Sequence, residues 1–298
     1  MKRRKKSSRR SRRYLLIPVG ILVLICILLS VNRRTKTAVG NLASSAASQL
    51  FVSGSSHLYN DYNKAAFVLE NGRMIYTDTG SYSYSTGIDV SEHNGSVDWD
   101  KVRADGIDFV FLRIGYRGYG TEGTLQEDAN FEENYKNARK AGLKVGVYFF
   151  SQAVNETEAE EEADFVLKKL DGRTLDLPVT YDVENISDDA ARTDNVSGEQ
   201  FTSNIQAFSL KIADAGYTPM LYANLQWELL ILNMSRLENL PIWYSSYETT
   251  PSSTYRFDYW QYSNTGTVDG ISGDVDLDIE MTPTDASESS AGSVGQDS

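Results

Sequence analysis

Cysteine is almost absent from this 298-residue chain, Cys26 being the single one. The body beyond it can form no internal disulfide and has no thiol chemistry, so packing alone must hold it together. Histidine is nearly as scarce, with only His57 and His93. Two imidazoles without a second thiol exclude a His/Cys zinc site, and any Ser/His/Asp triad would have to use one of them. Acids are missing from the first 36 residues, which carry 12 Lys or Arg. The rest of the chain holds 17 basic against 41 acidic residues, a formal charge of −24. A body with that balance lacks the clustered cations of a nucleic-acid binder. Catalysis is left mainly to carboxylates and tyrosines.

Long apolar runs are also missing, with one exception. Residues 1–13 form a basic tail, and Tyr14 to Val31 follows as 18 uncharged residues, mostly Leu, Ile and Val. That is just enough to span a bilayer as a helix, with Cys26 as a small apolar member. The heavier positive cluster precedes the span, which places the N-terminus in the cytoplasm and everything downstream outside the cell. The run is longer than a usual signal-peptide core and is followed by Asn32-Arg33-Arg34, so it reads as an uncleaved signal anchor. Residues 32–64 then read as a stalk rich in Ala, Ser and Gly. Residues 65–84 contain two β-prone runs about Asn71-Gly72, a hairpin extension. Residues 282–298 are Ser, Gly, Asp and Glu without periodicity, which predicts a disordered tail.

Between 85 and 281 the pattern alternates. Eight β-rich runs, at 86–90, 109–116, 144–150, 179–184, 219–223, 242–246, 257–262 and 275–279, are separated early on by helical stretches at 98–104, 130–141, 156–170 and 197–215. Strand, helix, strand in repetition predicts a parallel sheet, and eight strands in this length predict an α/β fold, an irregular TIM-like (β/α) barrel with reduced late helices. A doubly wound sheet is the alternative, but no glycine-rich phosphate loop follows the first strand.

The segment Pro178 to Glu184 places Asp182 and Glu184 two apart at a strand end, on one face. That spacing suits a carboxyl that protonates a leaving oxygen beside one that stabilises positive charge, as in glycoside hydrolysis; a solvated strand end has the same spacing. In a β/α barrel, working residues sit at the C-terminal strand ends. Those ends hold Asp89, then Arg113 and Tyr116, Tyr148 and Phe150, Asp182 and Glu184, Tyr222 and Asn224, Trp243 and Tyr244, Trp260, Gln261 and Tyr262, and finally Asp276. Four acids within an aromatic collar are what a polysaccharide cleft needs, because sugar faces stack on rings while hydroxyls bond to polar edges. Tyr116, Tyr148, Tyr222, Asn224, Trp243, Tyr244, Trp260 and Gln261 are the predicted substrate-binding set. No cofactor and no metal are expected, although four converging acids could also hold a hard cation.

The motifs GIDVSEHNG, WDKV, FVFLRIGY, GVYFFSQA, YDVEN, LYAN, PIWYSSY, YWQYS and GDVDLD, running from Gly87 to about Ile279, resemble glycoside hydrolase family 25, the muramidases or lysozymes that cut peptidoglycan. The resemblance implies a hydrolase of glycan strands, held at the membrane here by the predicted anchor, whose active site is lined by Asp89, Asp182, Glu184 and Asp276. It implies that Asp182 orients the substrate N-acetyl group for attack by the acetamide oxygen, while Asp89 and Asp276 set charge and position water or Asp182. Glu184, crowded by Asp182 and by rings, is expected to hold its proton and act as general acid, then base. Many members carry a Lys-x-Ser/Thr-Glu-Gly element after the second strand, where this chain has Arg113-Ile-Gly-Tyr-Arg117. A chitinase-type D-x-x-D-x-D-x-E pattern would need aspartates where Leu177 and Thr180 stand. An inactive wall-binding module is the reading from another class.

Overall fold

The computed structural model describes residues 59–186 and 190–284. The basic tail, the predicted span with Cys26, stalk residues 32–58 with His57, and residues 285–298 lie outside the described residues. Among the described residues no helix is long and apolar enough to cross a membrane.

Eight strands close into a barrel. In sheet order they are β3 (Tyr82–Val90), β11 (Val275–Pro283), β10 (Tyr259–Gly266), β9 (Ile242–Ser245), β8 (Pro219–Asn224), β7 (Val179–Val183), β6 (Lys144–Ser151) and β4 (Phe109–Arg117), with β3 and β4 pairing to complete the ring. A short β5 (Leu125–Glu127) adds antiparallel to the end of β4. The expected all-parallel sheet needs correction at one strand. β11 runs antiparallel to both β10 and β3, because only a short loop joins β10 to β11 and no helix returns the chain to the other end. Its first residues, not its last, therefore lie at the same end of the barrel as the C-termini of the others.

Helices α1 (Trp99–Ala104), α2 (Phe131–Lys140), α3 (Glu156–Leu170) and α4 (Gly198–Asp214) follow β3, β5, β6 and β7. Their starts are set locally: the side chains of Asp98, Asn155 and Ser197 accept from the backbone N–H of Lys101, Glu158 and Gln200. Along α3 the buried face is Ala159, Glu162, Ala163, Val166 and Leu170, the three-and-four spacing of one helical stripe. After β8 the connection holds only short helical turns, which is why the late barrel lacks full helices.

The floor of the barrel is Phe109, Phe111, Leu177, Met220, Trp243 and Tyr259, with Tyr148 and Tyr222 packed above it. Gly87 and Gly146 make room for two of these rings: a Cβ would fall 2.1 Å from Phe109 and 2.5 Å from Phe111. Outside the barrel, β1 (Phe67–Glu70) and β2 (Arg73–Tyr76) form a hairpin whose turn residues Asn71 and Gly72 both have positive φ, 50° and 77°. Its Phe67 and Tyr76 join Tyr62, Tyr82, Phe257 and Trp260 in one aromatic cluster.

Three predicted boundaries move. Residues 59–64, assigned above to the stalk, belong to the body: Tyr62 is buried in that cluster and its hydroxyl donates to the Phe257 carbonyl. Barrel strand β3 starts at Tyr82, inside the predicted extension, and β11 continues through Pro283, inside the predicted tail.

Candidate functional site

Strand alternation decides which side chains reach the barrel mouth. On β7, Tyr181 turns outward and stacks on Phe208 of α4, so its neighbour Asp182 points inward, and Glu184 follows just past the strand end. On β3 and β11, Asp89 and Asp276 are directly paired across the antiparallel ladder. The four predicted acids converge: Asp89 feels Asp276 and Asp182, Asp182 feels Glu184, and Glu184 feels Asp276. A fifth joins them that the strand-end reading did not select. Asp278 lies two residues beyond Asp276 on the same face, fully enclosed at 0% exposure, and accepts a 2.8 Å bond from Trp243 Nε1. The alternate acids of GDVDLD carried the signal, but a position deeper in a strand reads as core.

Five acids face one nearby cation. Arg113 is already committed, its Nε to Asp128 Oδ2 at 2.8 Å and its Nη2 to Glu92 Oε1 at 3.1 Å, with its guanidinium 5.0 Å from the Tyr116 ring centre. The site therefore favours protonated acids. Burial, then the Glu184 charge, raises Asp182 well above the usual carboxylate range, with Arg113 opposing. Burial, then Asp276 and Asp278, does the same to Asp89. Burial raises Asp276 to about 6. Glu184 is raised by burial first and by Asp276 second. The repulsion expected between Glu184 and Asp182 is present, its effect falling on Asp182, and Asp276 adds a second neighbouring charge at Glu184. Asp182 Oδ1 is buried and has no hydrogen-bond partner, an acceptor free for a donor brought by a ligand.

Asp89 is held from two strands away, by β10. Gln261 Nε2 donates 2.7 Å to Asp89 Oδ2, while Gln261 Oε1 accepts from Tyr222 OH at 2.9 Å, Tyr247 OH at 3.1 Å and Ser245 Oγ at 3.2 Å. Gln261 and Tyr222, predicted as substrate contacts, are brought to the site, but the polar groups of Gln261 are spent on this network. Burial keeps Tyr148, Tyr222 and Tyr247 neutral phenols, able to donate. Tyr247, 53% exposed, stands at the rim and was not predicted, since it follows β9 in an irregular loop.

Tyr116 reaches the mouth because of a bulge. The β4–β6 register slips between Arg113 and Gly115, so Arg113 and Tyr116, three apart, share a face. Arg117 consequently points away, its Nε 2.7 Å from the enclosed Glu162 of α3. The departure from the family element at Arg113 to Arg117 thus divides in two, Arg113 in the mouth and Arg117 in a buried ion pair behind it. Asn224 lies on the Tyr222 face, and its Oδ1 caps the following turn at Trp227 N, 3.1 Å away.

Three predicted contacts are corrected. Trp243 faces inward but lies in the floor, 1% exposed and stacked on Phe111 at 4.6 Å, beneath the acids and not beside a sugar. Tyr244, the next residue, faces outward and stacks on Phe257. Trp260 also faces outward, 0% exposed against Phe67 of the hairpin, with Nε1 donating to the Ser246 carbonyl at 2.8 Å. Adjacent strand residues point to opposite faces, so Trp243-Tyr244 and Trp260-Gln261 could each supply only one side chain to the mouth.

The family model described as Glycosyl hydrolases family 25 matches residues 88–271. The chain is similar to the autolytic lysozyme of Clostridium acetobutylicum, 31% identical over 193 residues that cover 64% of this chain and 54% of that protein. It is also similar to lysozyme M1 of Streptomyces globisporus, 31% identical over 200 residues, 64% of this chain and 65% of that protein. The chain thus spans between about half and two thirds of the length of these relatives. Among solved structures, the modular autolysin LytC from Streptococcus pneumoniae in complex with a synthetic peptidoglycan ligand matches with a TM-score of 0.58 at 26% identity, over 72% of this chain and 52% of that one. The bacterial lysozyme from Streptomyces coelicolor matches with a TM-score of 0.53 at 28% identity, over 66% of this chain and 91% of that one.

Proposed function

The chain belongs to glycosyl hydrolase family 25, and from that premise we propose that it is a peptidoglycan hydrolase cutting the β-1,4 bond between N-acetylmuramic acid and N-acetylglucosamine. The observation that carries the proposal is the pairing of Glu184 with Asp182 at the mouth of the barrel, one at its rim and the other enclosed with a free acceptor. Glu184, its proton held by burial and by Asp276, protonates the glycosidic oxygen as the bond to the leaving sugar breaks. The acetamide oxygen of the substrate attacks the anomeric carbon, and Asp182 accepts from the acetamide N–H. Glu184, now ionised, takes a proton from the water that opens the resulting ring. Asp89 and Asp276 hold the charge and geometry around Asp182.

The proposal extends to location. A basic tail, an 18-residue apolar run and a stalk would hold the enzyme at the outer face of a cell membrane, next to the wall. Such tethering suits local wall remodelling.

The test is Glu184→Gln, which removes the transferable proton with little change of shape. Release of soluble muropeptides from purified sacculi should fall by about 100-fold or more with the thermal midpoint kept. A variant that retains more than a few per cent of turnover would remove Glu184 from its role.

A further inference from the structure

Asp278 is the one acid of the site that no substrate can touch. It is fully enclosed, Oδ1 is bonded to Trp243 Nε1 at 2.8 Å, and Oδ2 has no N–H or O–H donor. A carboxylate oxygen sealed in this way costs several kcal/mol unless something meets it. Its neighbour is Asp89: the two are diagonal on one face of the β3–β11 ladder, where Asp276 pairs with Asp89 and Asp278 with Gly87, and each shifts the other's titration. Two carboxylates accept and neither donates, so a bond between them requires one proton held by the pair.

The surroundings favour that proton. The titratable and charged groups facing the pair are Asp276 of β11, Asp182 of β7, Tyr148 of β6, Arg113 of β4, Tyr247 beyond β9 and Tyr259 of β10, with Tyr262 of β10 behind the sheet. The acids outnumber the cation, and Arg113 is already paired with Asp128 and Glu92. The fixed donors, Trp243 Nε1 on Asp278 and Gln261 Nε2 on Asp89, sit at the two ends. They leave the middle of the pair as the place where a donor is missing.

We propose that Asp278 is a positioning residue: it shares one proton with Asp89, and that bond locks the Asp89 carboxyl between Gln261 and Asp278 so that it faces the reacting sugar in one orientation. The chain Trp243, Asp278, Asp89, Gln261 and Tyr222 then ties the floor of the barrel to its rim. This inference rests on the hydrolase reading above for its effect on turnover, but the shared proton itself does not.

The experiment therefore has two arms. In the first, the carboxyl carbons of Asp89 and Asp278 are followed by 13C NMR through a pH titration of the folded enzyme. The wild type should show one proton retained by the pair through neutral pH, and D278N should leave Asp89 titrating alone at lower pH. Two carboxylates ionising independently in the ordinary range would overturn the proposal whether or not the protein cuts peptidoglycan. In the second arm, D278N keeps an acceptor for Trp243 and an N–H donor for Asp89, whereas D278L keeps neither. D278N should remain within about 3-fold of wild-type kcat, and D278L should lose about 10-fold or more in kcat with KM little changed. Equal losses in the two variants, or losses that track the thermal midpoint, would reduce Asp278 to a structural group. A wild type without turnover, but with the shared proton, would count against the hydrolase reading and not against the pair.

Discussion

Each acid at the barrel mouth has a different neighbourhood, and the roles proposed above follow that difference. Asp182 and Asp89 are enclosed, Glu184 stands at the strand end, and Asp276 is half-buried with its carboxyl raised to about 6. Such a set is held against folding stability. A carboxyl whose folded pKa is above its unfolded one binds its proton more tightly when folded, so its contribution is fully present below the unfolded pKa of about 4 and is lost as pH rises through about 6. Asp276→Asn should therefore unfold at a higher temperature than the wild type at pH 7.5, by about 2–4 °C, while the two should be nearly equal at pH 4. Thermal unfolding at both pH values checks this. An offset that does not change with pH would show that Asp276 carries no such burden. Turnover should fall in the same variant, a site tuned for catalysis at the expense of stability.

At the scale of elements, the barrel rim is shaped by a bulge, an antiparallel strand and a hairpin. The bulge in β4 turns Tyr116 in and Arg117 out, the reversed β11 brings Asp276 to the mouth by its first residues, and the hairpin seals the outer face of β10. Trp260→Ala should therefore destabilise the protein by about 3–5 kcal/mol while leaving KM of the folded fraction unchanged. Denaturant unfolding with parallel kinetics checks both halves. A raised KM at wild-type stability would return Trp260 to the substrate face. Most strands and all four helices were legible from the alternation of β-rich and helical runs along the chain. The hairpin turn was legible from Asn71-Gly72. Side-chain direction at the strand ends was not: a dipeptide such as Trp243-Tyr244 shows that a ring faces the mouth only once the register is fixed. Strand direction was hidden too, since the D-x-D of β11 reads the same whichever way the strand runs. Asp278 was missed for a related reason, its depth below the rim being a property of the closed barrel and not of the motif.

For the whole molecule, the charge division is the governing feature, a basic leader of 36 residues joined to a body of formal charge −24. If the leader and its apolar run anchor the enzyme, the full chain should sediment with membranes and resist extraction by high salt, and a chain starting after residue 36 should remain in the supernatant. Release of the full chain by salt alone would mean that electrostatics, not a spanning helix, holds it. On the proposed function, the acids at the barrel mouth and the enclosed acceptor on Asp182 act on one bond in the wall polymer. Mass spectrometry of the muropeptides released from purified sacculi, after borohydride reduction, tests that directly. Fragments should end in reduced N-acetylmuramic acid and should be absent from the Glu184→Gln digest; fragments ending in reduced N-acetylglucosamine would contradict the assignment.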